Sequence, residues 1–259
     1  MSNQLLAGVT PIAEGTGRSL HVRAVDKSFG GILALQGCTF DVTARRITAL
    51  IGPNGSGKTT AFNCISGFYV PDKGSVMLGD RNISGWSPSR IVHQRVARTF
   101  QITRVFKRMS VLENMVVPVR RTGLKAMFWD GIQGNERDRA EKLLEFVGLS
   151  RFIDDHAGTL SFGQQKLLEL AAALMAEPQI MLLDEPSGGL NPIMIDRLAG
   201  YIRELNGLGV TFLIVEHNMG FVMRLADDVV VLHHGSVISQ GRPADVRADP
   251  AVLEAYLGN

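Results

Sequence analysis

The stretch Gly52–Thr60, GPNGSGKTT, constrains this 259-residue chain more than any other. It follows the apolar run ITALI directly and runs into a helical pattern, so a strand has to end in a glycine-rich loop that opens a helix. Glycines there let backbone N–H groups converge on an anion, and the positive end of the helix dipole favours the same negative charge. Gly52, Pro53, Asn54, Gly55, Ser56, Gly57, Lys58, Thr59 and Thr60 are therefore expected to wrap a phosphate chain. Lys58 should reach the β and γ phosphates, and Thr59 should ligate magnesium.

A loop of this kind needs a helix-covered sheet behind it, and the pattern supplies one. ITALIG, IMLLDE and TFLIVE are almost wholly apolar, as strands buried on both faces of a parallel sheet are. Helical patterns at 58–67, 192–208 and 219–225 alternate with them. Further strand-like runs occur at HVRAVDKSF, CTFDVT, GSVMLG, DVVVLHHG and SVISQG. The early ones follow one another without helices, which predicts a small antiparallel sheet beside the α/β core. From about Thr99 to Ala176 the pattern turns helical, with ERDRAEKLLEFVGL amphipathic and closed by Gly148. The predicted fold is thus an α/β core with a small antiparallel β subdomain and an inserted helical subdomain. The expected boundaries are a frayed tail over 1–19, one domain over 20–259 with its core in 20–98 and 177–249, the helical insertion at 99–176 and a terminal helix at 250–259.

Composition excludes more than it selects. A net charge of +2 and no long block of like charge give no reason to expect nucleic acid as a partner. No apolar run reaches the length of a membrane span, and the N-terminus has neither the basic head nor the apolar centre of a secretory signal. Cys38 and Cys64 lack metal spacing and read as buried, inert thiols.

Five further groups of residues carry chemistry or bear on it. IMLLDEP delivers Asp184 and Glu185 to the C-terminal end of a buried strand, where ligands of open α/β sheets bind. Asp184 suits a magnesium shell, and Glu185 can orient or deprotonate a water for in-line attack on a terminal phosphate. His217 stands at the end of the apolar run of LIVEHN, where a single histidine is more often structural until its neighbours are counted. Gln101, at the start of the helical region, carries both a donor and an acceptor that could sense magnesium or the attacking water, or it is structural. Phe29 in KSFGG can stack on a nucleobase or belong to the core. Ser161 and Gln164 stand at capping-box spacing, yet Gly163 occupies a first-turn position where alanine is better by about 1 kcal/mol. That glycine suggests a close approach to the helix start.

These motifs together, in this order, resemble the nucleotide-binding subunit of ATP-binding cassette (ABC) transporters over roughly 20–259. The resemblance implies a P-loop ATPase that takes ATP and Mg2+ and works as a head-to-tail dimer with a second ABC ATPase subunit, identical or related. In that dimer Ser161, Gly163 and Gln164 would complete the ATP site of the opposite subunit. Phe29 would stack on adenine, His217 would contact the γ-phosphate, and Gln101 would couple the magnesium site to a membrane partner. Phe162 stands where the family usually has glycine, and Asn191 where many relatives carry aspartate.

RTFQITRVFKRMSVLENM, SFGQQKLLELAAALMAEPQIMLLDEPSGGLNP and the ending DPAVLEAYLGN resemble the ATPase of branched-chain amino acid importers. That branch implies two permease subunits and, indirectly, a substrate-binding protein, with the ATPase held at the cytoplasmic face of the inner (plasma) membrane. Similar cassettes serve urea, amides, aromatic acids or lipopolysaccharide export, so cargo is the open point. A membrane partner is expected near Gln101, Arg104 and Phe106. The apolar tip KAMFW offers Phe128 or Trp129 either to that partner or to local packing.

Overall fold

The computed structural model describes residues 11–13, 17–99, 105–119, 132 and 134–257. Strands β3 (Ile47–Ile51), β7 (Ile180–Asp184) and β8 (Thr211–Val215) are buried at every position, as their unbroken apolar sequences require. With β6 (Val96–Arg98), β9 (Asp228–His233) and β10 (Ser236–Gly241) they form a six-stranded sheet of order β10-β9-β3-β8-β7-β6. Its pairs are parallel except β9 with β10, which is antiparallel. A second, four-stranded sheet has the order β2-β1-β4-β5, from β1 (Leu20–Phe29), β2 (Ile32–Val42), β4 (Lys73–Leu78) and β5 (Arg81–Asn82). Its pairs are all antiparallel, so the predicted α/β core with an antiparallel sheet beside it is what the chain adopts.

β2 starts well before the CTFDVT run. Gly30 and Gly31 both have positive φ and turn the chain so tightly that Phe29 pairs with Ile32. The strand then runs through exposed Ile32 and Leu33, where pairing rather than burial holds it. The short strands β5 and β6 also carry too few residues for a periodic signal to reveal them.

The helices are α1 (Lys58–Ile65), α2 (Pro88–Val92), α3 (Val111–Val116), α4 (Gly134–Phe146), α5 (Phe162–Leu174), α6 (Pro192–Gly207), α7 (Met219–Leu225), α8 (Pro243–Ala248) and α9 (Pro250–Leu257). α3, α4 and α5 pack on one another and share a core with one face of β7 and β8, through Leu143, Leu168, Met181 and Phe212. The other face of the large sheet packs on α1 and the antiparallel sheet through Phe40, Phe62, Leu182 and Leu213. Val246 of α8 and Val252 of α9 close a third cluster over β3 and β9. No described helix is long and apolar enough to cross a membrane.

Register decides what meets at the sheet's edge. Leu50 pairs with Val215, and Val215 with Asp184, so β3, β8 and β7 end in one row. The residues that follow, Gly52, Glu216 and Glu185, leave the sheet on the same side.

Candidate active site

The loop after β3 is shaped by close contacts. Gly57 caps α1 with left-handed backbone at φ 103, and a Cβ there would come within 2.5 Å of the Ala34 carbonyl oxygen. At Gly52 a Cβ would lie 2.1 Å from the Leu232 carbonyl oxygen, so the loop can enter its turn only through glycine. The turn after β9 supports the loop from outside, with Gly235 N–H donating to the Ser56 carbonyl at 2.9 Å. Lys58 is buried and donates to the Gly52 carbonyl at 2.7 Å and the Pro53 carbonyl at 2.8 Å. Burial lowers its pKa, while the nearby Glu185 carboxylate pulls the other way. Thr59, one residue into α1, is exposed.

Asp184 is buried at the end of β7 and pairs with Arg98 across 3.1 Å. Burial raises its pKa and the Arg98 guanidinium opposes that rise. Arg98 also donates to Asn63 Oδ1 at 2.7 Å on α1 and to Ser66 Oγ at 2.6 Å at its C-terminal cap, so it joins the helix of the glycine loop to the carboxylate strand. Sequence reading missed Arg98, because a three-residue strand gives no hint of what its last side chain faces. Glu185 has left-handed backbone at φ 45, an uncommon state for a non-glycine residue. Its Oε1 lies 3.6 Å from Nδ1 of His217, beyond hydrogen-bond length but within charge range. The two side chains, 26% and 60% exposed, face each other at the sheet's edge. Glu185 and His217, predicted separately, thus come together, as do Lys58 and Glu185.

Behind them lie two charged groups that the sequence did not single out. Lys166 of α5 donates to the Glu185 carbonyl at 3.0 Å and the Pro186 carbonyl at 3.4 Å. Glu216 has no solvent exposure and accepts from the Ser187 N–H at 2.8 Å, the His217 N–H at 3.0 Å and the Asn218 N–H at 3.1 Å. The signal available in VEHN was a carboxylate one residue beyond an apolar strand, overshadowed by its histidine neighbour.

The start of α5 is a complete capping box: Ser161 Oγ accepts from Gln164 N–H at 3.4 Å, and Ser161 N–H donates to Gln164 Oε1 at 2.8 Å. Gly163 has a neighbour inside its own chain, since a Cβ there would stand 3.1 Å from Met194 Cε. Phe162 is half-exposed and its ring covers Gly189, where a Cβ would meet ring carbon Cε1 at 2.8 Å. Asn191 caps α6, its side chain accepting from Met194 N–H at 2.9 Å.

Phe29 ends β1 with its ring 42% exposed and in edge contact with Tyr69, centroids 5.0 Å apart. Asp72 fixes the strand just before it by accepting from Lys27 Nζ at 2.7 Å and Ser28 N–H at 2.7 Å, which hold its pKa down to about 2. Gln101, Arg104, Phe128 and Trp129 lie outside the described residues. Phe106 is exposed and lines an apolar groove of about 380 Å³ with Val105, Val117, Leu168 and Ala172, between β6 and helices α3 and α5. Cys38 and Cys64 are buried, and burial pushes their thiols up to about 12 and about 11. The arrangement can receive a polyphosphate on the loop and helix start, with a carboxylate and an imidazole beside its far end.

Comparison with known proteins agrees with that chemistry. Residues 35–188 match the ABC transporter family, and residues 236–259 match the branched-chain amino acid ATP-binding cassette transporter family. The chain is 40% identical over 249 residues to the high-affinity branched-chain amino acid transport ATP-binding protein BraF of Pseudomonas aeruginosa, spanning 92% of this chain and 97% of that protein. It is 38% identical, with the same coverage, to the corresponding LivG protein of Escherichia coli K12. Among solved structures it superposes on an ATP-binding cassette of an ABC transporter in its ADP conformation, with TM-score 0.84 and 36% identity over 93% of this chain and 99% of that one. A bacterial ABC transporter cassette solved as a dimer gives TM-score 0.74 and 25% identity, over 86% of this chain and 98% of the other. This chain belongs to the ABC transporter family, as an ATP-binding cassette of its branched-chain amino acid branch.

Proposed function

We propose that this chain hydrolyses ATP at the edge of its large sheet to drive import of branched-chain or related hydrophobic amino acids. The observation that carries the reading is the common end of β3, β8 and β7, which places the glycine loop, His217 and Asp184–Glu185 on one side of the sheet. Gly52 to Thr60 receives the phosphates; Lys58 exchanges its two loop carbonyls for phosphate oxygens. Thr59, Asp184 and Gln101 would hold magnesium. Their hard oxygen donors fit that ion, and Asp184 supplies the anionic ligand among them. Bound magnesium supplies charge neutralisation on the phosphates. Glu185 positions and deprotonates the attacking water, and His217 faces the γ-phosphate. Phe29 stacks on the adenine, with Tyr69 bracing its edge.

A second cassette supplies the remainder. The first N–H groups of a helix have no intrahelical partner, so the start of α5, with Ser161, Gly163 and Gln164, offers donors and a positive dipole end to the partner's nucleotide. Asn191 is already engaged in capping α6, which leaves it a lesser part in that contact. The groove beside Phe106 receives a segment of a membrane subunit, which holds the chain at the cytoplasmic face of the membrane. The relatives named for branched-chain amino acid transport support the cargo class.

Glu185→Gln tests the centre of this reading. The variant should bind ATP normally, lose turnover by about a hundredfold or more, and accumulate a dimer with two nucleotides on size-exclusion chromatography. Full steady-state turnover would remove Glu185 as the base. Proteoliposomes containing the native membrane subunits and binding protein should take up leucine, isoleucine or valine on ATP addition; uptake of urea or an amide instead would move the cargo to a different class.

A further inference from the structure

We infer that Lys166 and Glu216 are positioning residues that clamp the backbone of Glu185–Ser187 between them and so aim the Glu185 carboxylate. The inference rests on the assignment of Glu185 as the base. Lys166 holds the carbonyls of Glu185 and Pro186 at 3.0 and 3.4 Å. Glu216 holds the next amide, Ser187 N–H, at 2.8 Å with one oxygen and the amides of His217 and Asn218 at 3.0 and 3.1 Å with the other. Three consecutive residues are therefore gripped by an ammonium from α5 and a carboxylate from the end of β8.

Both gripping groups are buried, at 8% and 0% exposure. Burying a charge is costly unless its hydrogen bonds are met, and an apolar side chain would fill either place at lower cost. What the charges provide is direction: a cation selects carbonyls and a carboxylate selects N–H groups, so the segment has one orientation. That matters at Glu185, whose left-handed backbone at φ 45 persists only where its surroundings impose it. Burial lowers the Lys166 pKa, and the carboxylates of Glu169, Glu216, Glu185 and Asp184 oppose that fall.

The clamp also joins two functions. Glu216 ties the backbone of His217 to that of Ser187, so the two groups facing the γ-phosphate share one anchor. Lys166 belongs to the same helix as Ser161, whose end is offered to the partner's nucleotide. A shift of α5 on dimer closure is thereby transmitted to the backbone of this chain's own base.

The test uses the full chain with its cassette partner and Mg-ATP, comparing wild type, Lys166→Met, Lys166→Arg, Glu216→Gln and Glu185→Gln. Lys166→Met and Glu216→Gln should each lower kcat by about tenfold or more while the KM for ATP moves by less than about threefold. Lys166→Arg keeps a cationic donor and should recover most of the lost turnover. In Glu216→Gln the Ser187 amide should lose protection from hydrogen exchange while the amides of β3 keep theirs. Wild-type kcat in both Lys166→Met and Glu216→Gln would overturn the clamp, as would parallel losses of kcat, ATP affinity and melting temperature, the mark of a merely structural role. Should Glu216→Gln fail to fold, the contrast between Lys166→Met and Lys166→Arg decides on the same split. Full turnover in Glu185→Gln would instead strike the base assignment, and the exchange of Ser187 reports on the clamp separately from it.

Discussion

Lys58 holds its own loop closed at rest by donating to the carbonyls of Gly52 and Pro53. Its burial disfavours the charge and Glu185 favours it, and in the proposed site a phosphate would be a stronger partner than either carbonyl. Lys58→Ala should therefore weaken ATP binding by about tenfold or more in titration calorimetry. An unchanged affinity would count against its contact with phosphate. At this scale the residue types of the glycine loop were readable because each answers a local need. Gly57 has to adopt φ 103, and no other residue type does so cheaply. Gly163 is a mixed case. Its place in a first helical turn suggests a partner's approach, and the fold adds a neighbour from the same chain, with Met194 Cε 3.1 Å from where its Cβ would stand. Nothing in LSFGQ points 31 residues ahead to α6; that proximity arises from packing.

α5 is the element on which the proposed composite site depends. Its capping box was legible from the Ser161 and Gln164 spacing, since the two reciprocal bonds span only three residues. Ser161→Ala should cost about 1 kcal/mol in urea denaturation, the usual worth of such a cap. A larger fall in ATP turnover than in stability is expected if, as proposed, the hydroxyl also faces the opposing subunit's nucleotide. Equal wild-type turnover in the variant would remove Ser161 from that site. Strand β2 shows how an element escapes a pattern. Its first residues, Ile32 and Leu33, are exposed apolar side chains without alternation, held by pairing to β1 through a two-glycine turn. Short β6 escapes similarly, although it delivers Arg98 to Asp184.

For the whole molecule, the large sheet sets the nucleotide site and the helices α3 and α5 set the groove at its flank. The groove is apolar and open, with Phe106 and Val117 exposed within it. Placing a charge there, as in Ala172→Glu, should abolish copurification of the membrane subunits while leaving ATP affinity within about twofold, because a buried unpaired carboxylate opposes docking. Retained copurification would move the membrane contact to another face. Arg98, Lys166 and Glu216 each bond groups distant in the chain, beside the apolar core that joins α3, α4 and α5 to the large sheet.

Sequence alone determined what acts over a few residues: the glycine loop between strand and helix, the fully apolar strands, the caps, and the carboxylates at a strand end. These follow from backbone sterics, burial period and short-range hydrogen bonding, which the order of residue types records directly. Tertiary structure alone decided which groups those residues meet. Arg98 finds Asp184 across 86 positions, Glu216 finds Ser187 across 29, and Lys166 finds Glu185 across 19. Such partners are chosen by strand order and helix docking, and a one-dimensional pattern carries the demand of a buried charge for a partner without saying which partner the fold will bring.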